Sequence, residues 1–290
     1  MQENCSFKKL VDTNVRVKIT DIGASPITSN ELPPYMALLR SGNADIVGFE
    51  PHAKALDALN LAKGPHETYL PHAVADGNRH TLHSCMAAGM TSLLKPNPEV
   101  LKLFHGFPMW GTVLSTEEID TVRFDDVEET AGTDMIKIDI QGGELMVLKN
   151  SQNRLKDVLV IHTEVEFLPM YQDQPLFSDV DSFLRSKGFM FHRFFPLVSR
   201  TIIPMVVNGN IYEGFSQLFW ADAVFIRDVS RLDLFSDSEL MKTAMLLHEC
   251  YNSLDLAHYL LVEYDRRTAA GVAPRYLSSI MAPPVSPKSA

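Results

Sequence analysis

The chain has 290 residues and a mass of 32.5 kDa, enough for one large domain or for one domain with an appendage. With 46% hydrophobic residues, 21% charged residues and a mean hydropathy of −0.03, the composition is globular, neither disordered nor fibrous. A net charge of −10, from 36 acidic and 26 basic residues, argues against a nucleic-acid partner, because a duplex-binding protein must neutralise phosphates with cations.

In chain order, a lead of residues 1–14 precedes the first strand-like run, VRVKITDI (15–22). After a turn, Asn30 is placed to cap a helix entered through Pro33 and Pro34. ADIVGFE (44–50) reads as a buried strand, followed at Pro51 by the helical segment HAKALDALNLAK. ETYLPHAV (67–74) reads as a third strand, DMIKIDI (134–140) as a fourth and VLVIHTEVEF (158–167) as a fifth. GGELMVLKN has helical spacing, and PLFSDVDSFLRSKGF reads as a helix stopped by Gly188. FMFHRFF and LFWADAVFI (218–226) complete the set. Strands separated by helical crossovers imply parallel pairing, so the expected fold class is α/β, doubly wound.

Two parts stand apart. Residues 77–126 interrupt the alternation and suit a functional insertion or lid. Beyond Arg227 the pattern becomes two helices, about 237–251 and 253–267, within an extension of 229–268. Their leucines Leu246, Leu247, Leu254, Leu256, Leu260 and Leu261 offer a face for homodimer pairing. The tail 269–290 contains four prolines and is expected to be disordered. The three cysteines, Cys5, Cys85 and Cys250, form neither a disulfide framework nor a metal knuckle, which favours a reducing compartment. The opening MQENCSFKKL lacks an apolar signal core, so the expected location is the cytoplasm. The greasiest stretch, 191–207, is broken by Arg193, Pro196, Arg200 and Pro204 and is not a membrane span, though it can wall a ligand or partner site.

The chemistry concentrates where strands end. Asp21, Gly23, Ala24 and Ser25 form a strand-to-turn segment at the carboxyl edge of the sheet, where open α/β folds bind ligands. Glu50, closing the second strand before Pro51, suits the two hydroxyls of a ribose, because its two oxygens accept two O–H donors. A dinucleotide site would want G-x-G-x-x-G facing an anionic pyrophosphate, whereas this turn offers one glycine and an acid at its mouth. Asp21 suits a cationic ligand such as S-adenosylmethionine. Both acids also read as caps or surface carboxylates.

These segments carry a resemblance. Asp21-Ile22-Gly23-Ala24, Val47-Gly48-Phe49-Glu50-Pro51, and Ile136-Lys137-Ile138-Asp139-Ile140-Gln141-Gly142-Gly143-Glu144 through Val147-Leu148-Lys149 resemble the FkbM family of S-adenosylmethionine-dependent methyltransferases. Met170-Tyr171, Pro175-Leu176-Phe177 and Gly188-Phe189 are similar to its later part, so the resemblance spans about residues 15–228. It implies a class I, mostly parallel seven-stranded sheet with an antiparallel last strand. It also implies methylation of a hydroxyl on a sugar, lipid-linked or polyketide-like small molecule. Two positions depart from the family pattern. Pro26 and Ile27 stand where a second glycine is usual, and Gln141 replaces the usual glutamate. Both departures favour a competing reading, a binding or scaffold protein that kept the fold and lost turnover.

A hydroxyl acceptor must lose a proton, so a base is expected among Asp139, His162 and Glu164, with Glu166 on the same strand face. Asp139 also reads as a helix cap and Glu144 as a first-turn dipole partner. Lys137, inside an apolar strand, is expected to pair with a neighbouring acid such as Glu164. His72 and Asp76, after the third strand, join the candidate cofactor shell, with a turn role the main alternative for Asp76. His80, His83, Cys85 and His105 are too loosely spaced for a metal site, so none is expected. Met86, Met90, Met109 and Trp110 pack the insertion onto the sheet or line an apolar acceptor pocket.

Overall fold

The computed structural model describes residues 6–26 and 32–281. Cys5, Ile27, Asn30 and the tail beyond Met281 lie outside the described residues, and with them the expectations on the second turn glycine and the Asn30 cap.

In chain order the elements are α1 (Phe7–Val11), β1 (Val17–Ile22), α2 (Met36–Arg40), β2 (Ala44–Phe49), α3 (Ala53–Ala62), β3 (Glu67–Leu70), β4 (Ala73–Ala75) and β5 (Arg79–Cys85). There follow α4 (Pro98–Leu101), α5 (Phe107–Trp110), β6 (Val113–Arg123), β7 (Met135–Ile138), α6 (Glu144–Lys149), β8 (Val160–Glu166) and α7 (Phe177–Ser186). The last are β9 (Phe189–Arg200), β10 (Gln217–Arg227), α8 (Asp237–Tyr251), α9 (Leu254–Thr268) and α10 (Val272–Met281). The described residues form two compact units, one of Lys18–Pro26 with Ile46–Asp228, the other of residues 6–17, 32–45 and 229–281.

The first unit is built on a seven-stranded sheet of order β3-β2-β1-β7-β8-β10-β9. β2–β3, β1–β7 and β7–β8 pair in parallel, while β10 runs antiparallel to both β8 and β9. The expected α/β class with an antiparallel last strand is what the chain forms. All seven residues of β8 are buried, as a central strand covered on both faces must be. Ile138, Leu145, Leu148, Ile161, Leu184 and Phe225 lie in one apolar core that joins the sheet to α6 and α7. Gly188, at φ +84, stops α7 as its position implied. Because the chain leaves β1 in one direction and returns to β7 on its other side, the strand order reverses between them. Ligand crevices form at such a reversal.

The expected third strand is split. β3 stays in the main sheet, and after Pro71 the chain turns into β4, which joins β6 and β5 in a separate sheet of order β4-β6-β5. Proline has no N–H to continue a ladder, which is why the break falls there. The insertion therefore has structure of its own, and a second apolar cluster ties it to the sheet through Cys85, Met90, Phe104, Phe107, Tyr171 and Phe219. In the greasy stretch Phe191 and Phe194 pack on the core, whereas Phe195, Leu197, Ile202, Ile203, Met205 and Val206 are exposed.

The second unit is helical, and the expected two-helix extension needs correction, as does the expected disorder over 269–281. α8 opens with a capping box between Ser236 and Glu239, and a third helix, α10, follows α9. Pro274 sits in the first turn of α10, where a missing N–H costs nothing. Tyr276 is fully buried there, its hydroxyl 2.9 Å from His248 Nδ1, with Phe7 packed on both rings. Leu246, Leu247, Leu260 and Leu261 are 0% exposed, so four of the six leucines read as a dimer face are used inside the unit, while Leu254 and Leu256 are half-buried. Among the described residues no helix is long and apolar enough to cross a membrane.

Candidate active site

The turn after β1 comes first. Gly23 adopts φ +85, a conformation side chains rarely take, and a Cβ there would stand 2.0 Å from the carbonyl oxygen of Asp139. The N–H groups of Gly23 and Ala24 donate to Phe49 O at 3.2 and 2.9 Å, and the Asp139 N–H donates to Ile22 O at 3.0 Å. The bare turn is thus clamped between the ends of β2 and β7. Ala24 is buried and Ser25 is exposed beside it.

Asp21 faces Lys137 in register across β1 and β7, and Lys137 Nζ donates to its Oδ1 at 3.1 Å. Burial works against the Lys137 charge, but Asp21, Asp139 and Asp222 outweigh it and hold the ammonium above the ordinary lysine range. Asp21 is 4% exposed. The expectation of an open negative charge at the mouth fails here, because register hands this carboxylate to a cation on the next strand. The expected Lys137–Glu164 pair fails for the same reason.

Glu50 follows β2, half-buried, and its Oε1 accepts the His52 N–H at 2.6 Å. Burial raises its carboxyl, against the His52 N–H and the charge of His52. Beside it Gly48 makes room for a ring, since a Cβ at Gly48 would meet Tyr69 at 2.5 Å.

The turn from β7 into α6 holds the remaining chemistry. Gln141, at φ +62, donates from Nε2 to Asp139 Oδ1 at 2.9 Å and to Glu164 Oε2 at 2.8 Å. Its Oε1 accepts the Tyr171 hydroxyl at 3.3 Å, and its carbonyl accepts Ser92 Oγ at 2.6 Å. Glu144 Oε1 accepts the N–H groups of Ile140 and Gly142 at 2.9 and 3.1 Å, tying down the helix start. Burial lifts Glu144 to about 7 against those hydrogen bonds, with the charge of Asp139 adding to the rise.

His162, Glu164 and Glu166 share the β8 face, at 2%, 7% and 1% exposure, so that face is interior, not turned to solvent. His162 Nε2 lies 3.0 Å from Asp222 Oδ2 of β10. Burial, reinforced by neighbouring carboxylates, pushes both Glu164 and Glu166 well above the ordinary range. Glu166 Oε1 is buried without a hydrogen-bond partner. Asp139 and Gln141, half-buried, are the accessible edge of this acidic interior.

A family model described as the methyltransferase FkbM domain matches residues 21–191, more than half of the chain and the whole of this constellation from Asp21 to Tyr171. The chain belongs to the FkbM methyltransferase family. The methyl donor of that family, as the resemblance implied, is S-adenosylmethionine. No curated protein matches the chain. Among solved structures, it is similar to a TehB-like S-adenosylmethionine-dependent methyltransferase from Corynebacterium glutamicum at 12% identity, over 76% of this chain and 86% of that one, with a TM-score of 0.35. It is also similar to an uncharacterized protein from Listeria monocytogenes at 7% identity, over 93% and 94%, with a TM-score of 0.39.

In this FkbM methyltransferase the structure gathers Gly23, Asp139, Gln141 and Glu164 by direct contact, with Asp21 joined to them through Lys137. Asp76 is taken up elsewhere: His80 Nε2 at 2.7 Å and the Asn78 N–H and amide at 3.0 and 2.9 Å occupy its carboxylate. Burial works to raise that carboxyl, but these contacts hold it at about 2, so Asp76 is a turn residue. His72 and Pro51 are exposed. His105 bonds Met205 O at 3.1 Å, away from His80, and no group of three or more metal-ligating side chains occurs among the described residues. Met90 is buried in the insertion core, while Met86 and Met109 are 50% and 57% exposed. The sequence reading missed Tyr171, Ser92 and Asp222 as site residues. Asp222, an acid inside the apolar run LFWADAVFI, carried a visible signal.

Proposed function

We propose that this chain transfers a methyl group from S-adenosylmethionine to a hydroxyl of a sugar, lipid-linked or polyketide-like small molecule. The observation that carries the reading is the Gly23 turn, seated on the Asp139 carbonyl so closely that no side chain fits. The glycine lets the turn pack against the end of β7 at the strand-order reversal, beside the half-buried Asp139. The residues fit the donor. Gly23, Ala24 and Ser25 wall it, Asp21 braces the turn through Lys137, and Glu50 with Pro51 accepts the ribose.

When bound, the donor supplies a methyl group on a sulfonium, an electrophile that needs an acceptor oxygen held in line. Asp139 is the base of this reading, because His162 is sealed against Asp222 and Glu164 lies deeper on the buried strand. Glu144 works on the backbone of the turn.

Calorimetric titration with S-adenosylhomocysteine tests the reading. Glu50→Ala should weaken binding at least tenfold, the scale of one or two hydrogen bonds to a charged acceptor at about 1.5–3 kcal/mol each. Asp139→Asn should bind normally yet lose about 10²-fold in transfer to a panel of sugar and lipid-linked hydroxyl acceptors. No binding at millimolar ligand refutes the donor site; binding with no transfer to any acceptor favours a scaffold.

A further inference from the structure

Gln141 is held by four contacts. Its Nε2 reaches Asp139 and Glu164, its Oε1 reaches Tyr171, and its carbonyl oxygen accepts Ser92, all on a backbone at φ +62. A non-glycine residue persists in that conformation only where its surroundings over-determine it. We propose that Gln141 is a positioning residue that spaces the Asp139 and Glu164 carboxylates on one carboxamide and thereby sets the charge of the site beside the methyl donor. The inference rests on the donor-site reading above.

The chemistry of the bridge supports it. A primary amide carries two N–H donors on one nitrogen, so each carboxylate receives a hydrogen and neither needs a shared proton. A glutamate here, the usual residue of the family pattern, would set oxygen against oxygen twice. Each of those contacts would then need a proton of its own, so two of the three acids would have to be protonated to keep the bridge. The amide makes the same bridge without titrating, so the cluster holds one ionisable group fewer than a glutamate would give it.

Charged and titratable groups surround it from every packed element. Asp21 comes from β1, Lys137 and Asp139 from β7 and its turn, Glu144 from α6, and His162, Glu164 and Glu166 from β8. Tyr171 follows β8, Cys85 of β5 packs with it, and Asp222 comes from β10. Lys137, held by Asp21, is the sole lysine or arginine among them.

Two ligands read that charge in the full chain. S-adenosylhomocysteine is neutral at sulfur, whereas sinefungin carries a protonated amine where the transferable methyl stands. The ratio of their affinities, measured calorimetrically from pH 5 to 8, reports negative charge beside the donor. In the wild type the ratio should rise with pH as the coupled acids ionise, and the pH of half-rise is its midpoint. Gln141→Glu adds a third like charge and Gln141→Met removes the donors that favour the ionised forms, so each should move the midpoint upward by about one pH unit or more. Gln141→Met, uncharged and similar in shape, keeps the test readable if Gln141→Glu fails to fold by thermal melt. Folded variants whose ratio titrates as in the wild type would overturn the inference and leave Gln141 a spacer. If neither ligand binds the wild type, the donor-site reading falls and the inference with it, an outcome distinct from an unmoved midpoint.

Discussion

Glu144→Gln tests the electrostatics of the site without touching its shape. The glutamine carbonyl can still accept the N–H groups of Ile140 and Gly142, while the ionisable group is gone. Burial holds Glu144 at about 7 against an ordinary 4.5. Between those two values the unfolded chain has released a proton that the folded protein keeps. Stability therefore falls as pH rises through that window, and levels off above it. The full effect, at 1.36 kcal/mol per pH unit of displacement, is about 3 kcal/mol. For a chain of this size that corresponds to roughly 5–10 °C in melting temperature. Glu164 and Glu166 are displaced in the same direction, so the wild-type profile should fall by at least this much. Calorimetric melts at pH 4.5 and 8 should show the two proteins nearly equal at the acid end, and Glu144→Gln higher at the other by that margin. Parallel profiles would refute the reasoning and mean that Glu144 is ionised at no cost.

The Gly23 turn makes a second prediction. Gly23→Ala forces an unfavourable φ and a clash with a backbone oxygen, so it should destabilise by at least about 2 kcal/mol and abolish S-adenosylhomocysteine binding, read by denaturant titration and calorimetry. Lys137→Met should leave Asp21 buried without its cation, at about 3–5 kcal/mol, and Asp21→Asn in that background should recover part of the loss in chemical denaturation.

Much of this architecture was legible because it is local. The runs VKITDI, MIKI and VIHTEVE are β-branched and bounded by turn residues, so they announce strands wherever they end up. Gly188 at the end of α7 and Glu144 in the first turn of α6 act on their own neighbours, and each does what its position implied. The glycine of the β1 turn was likewise readable, since only glycine takes a positive φ freely.

Partners across the sheet were not legible. Lys137 sits with Asp21 on one side and His162 on the other in the register of three strands, and only the strand order decides which carboxylate reaches it. The same holds for Gln141, whose replacement of a family glutamate looked like a loss until Asp139 and Glu164 were found on either side of its amide. The leucines of α8 and α9 needed a partner surface, and the sequence could not say that α10 and the chain's own helices would supply it. Local dihedral and hydrophobic preferences act within a few residues and are written in the sequence. Charge pairing and burial depend on groups more than a hundred residues apart, and only the folded register brings those together.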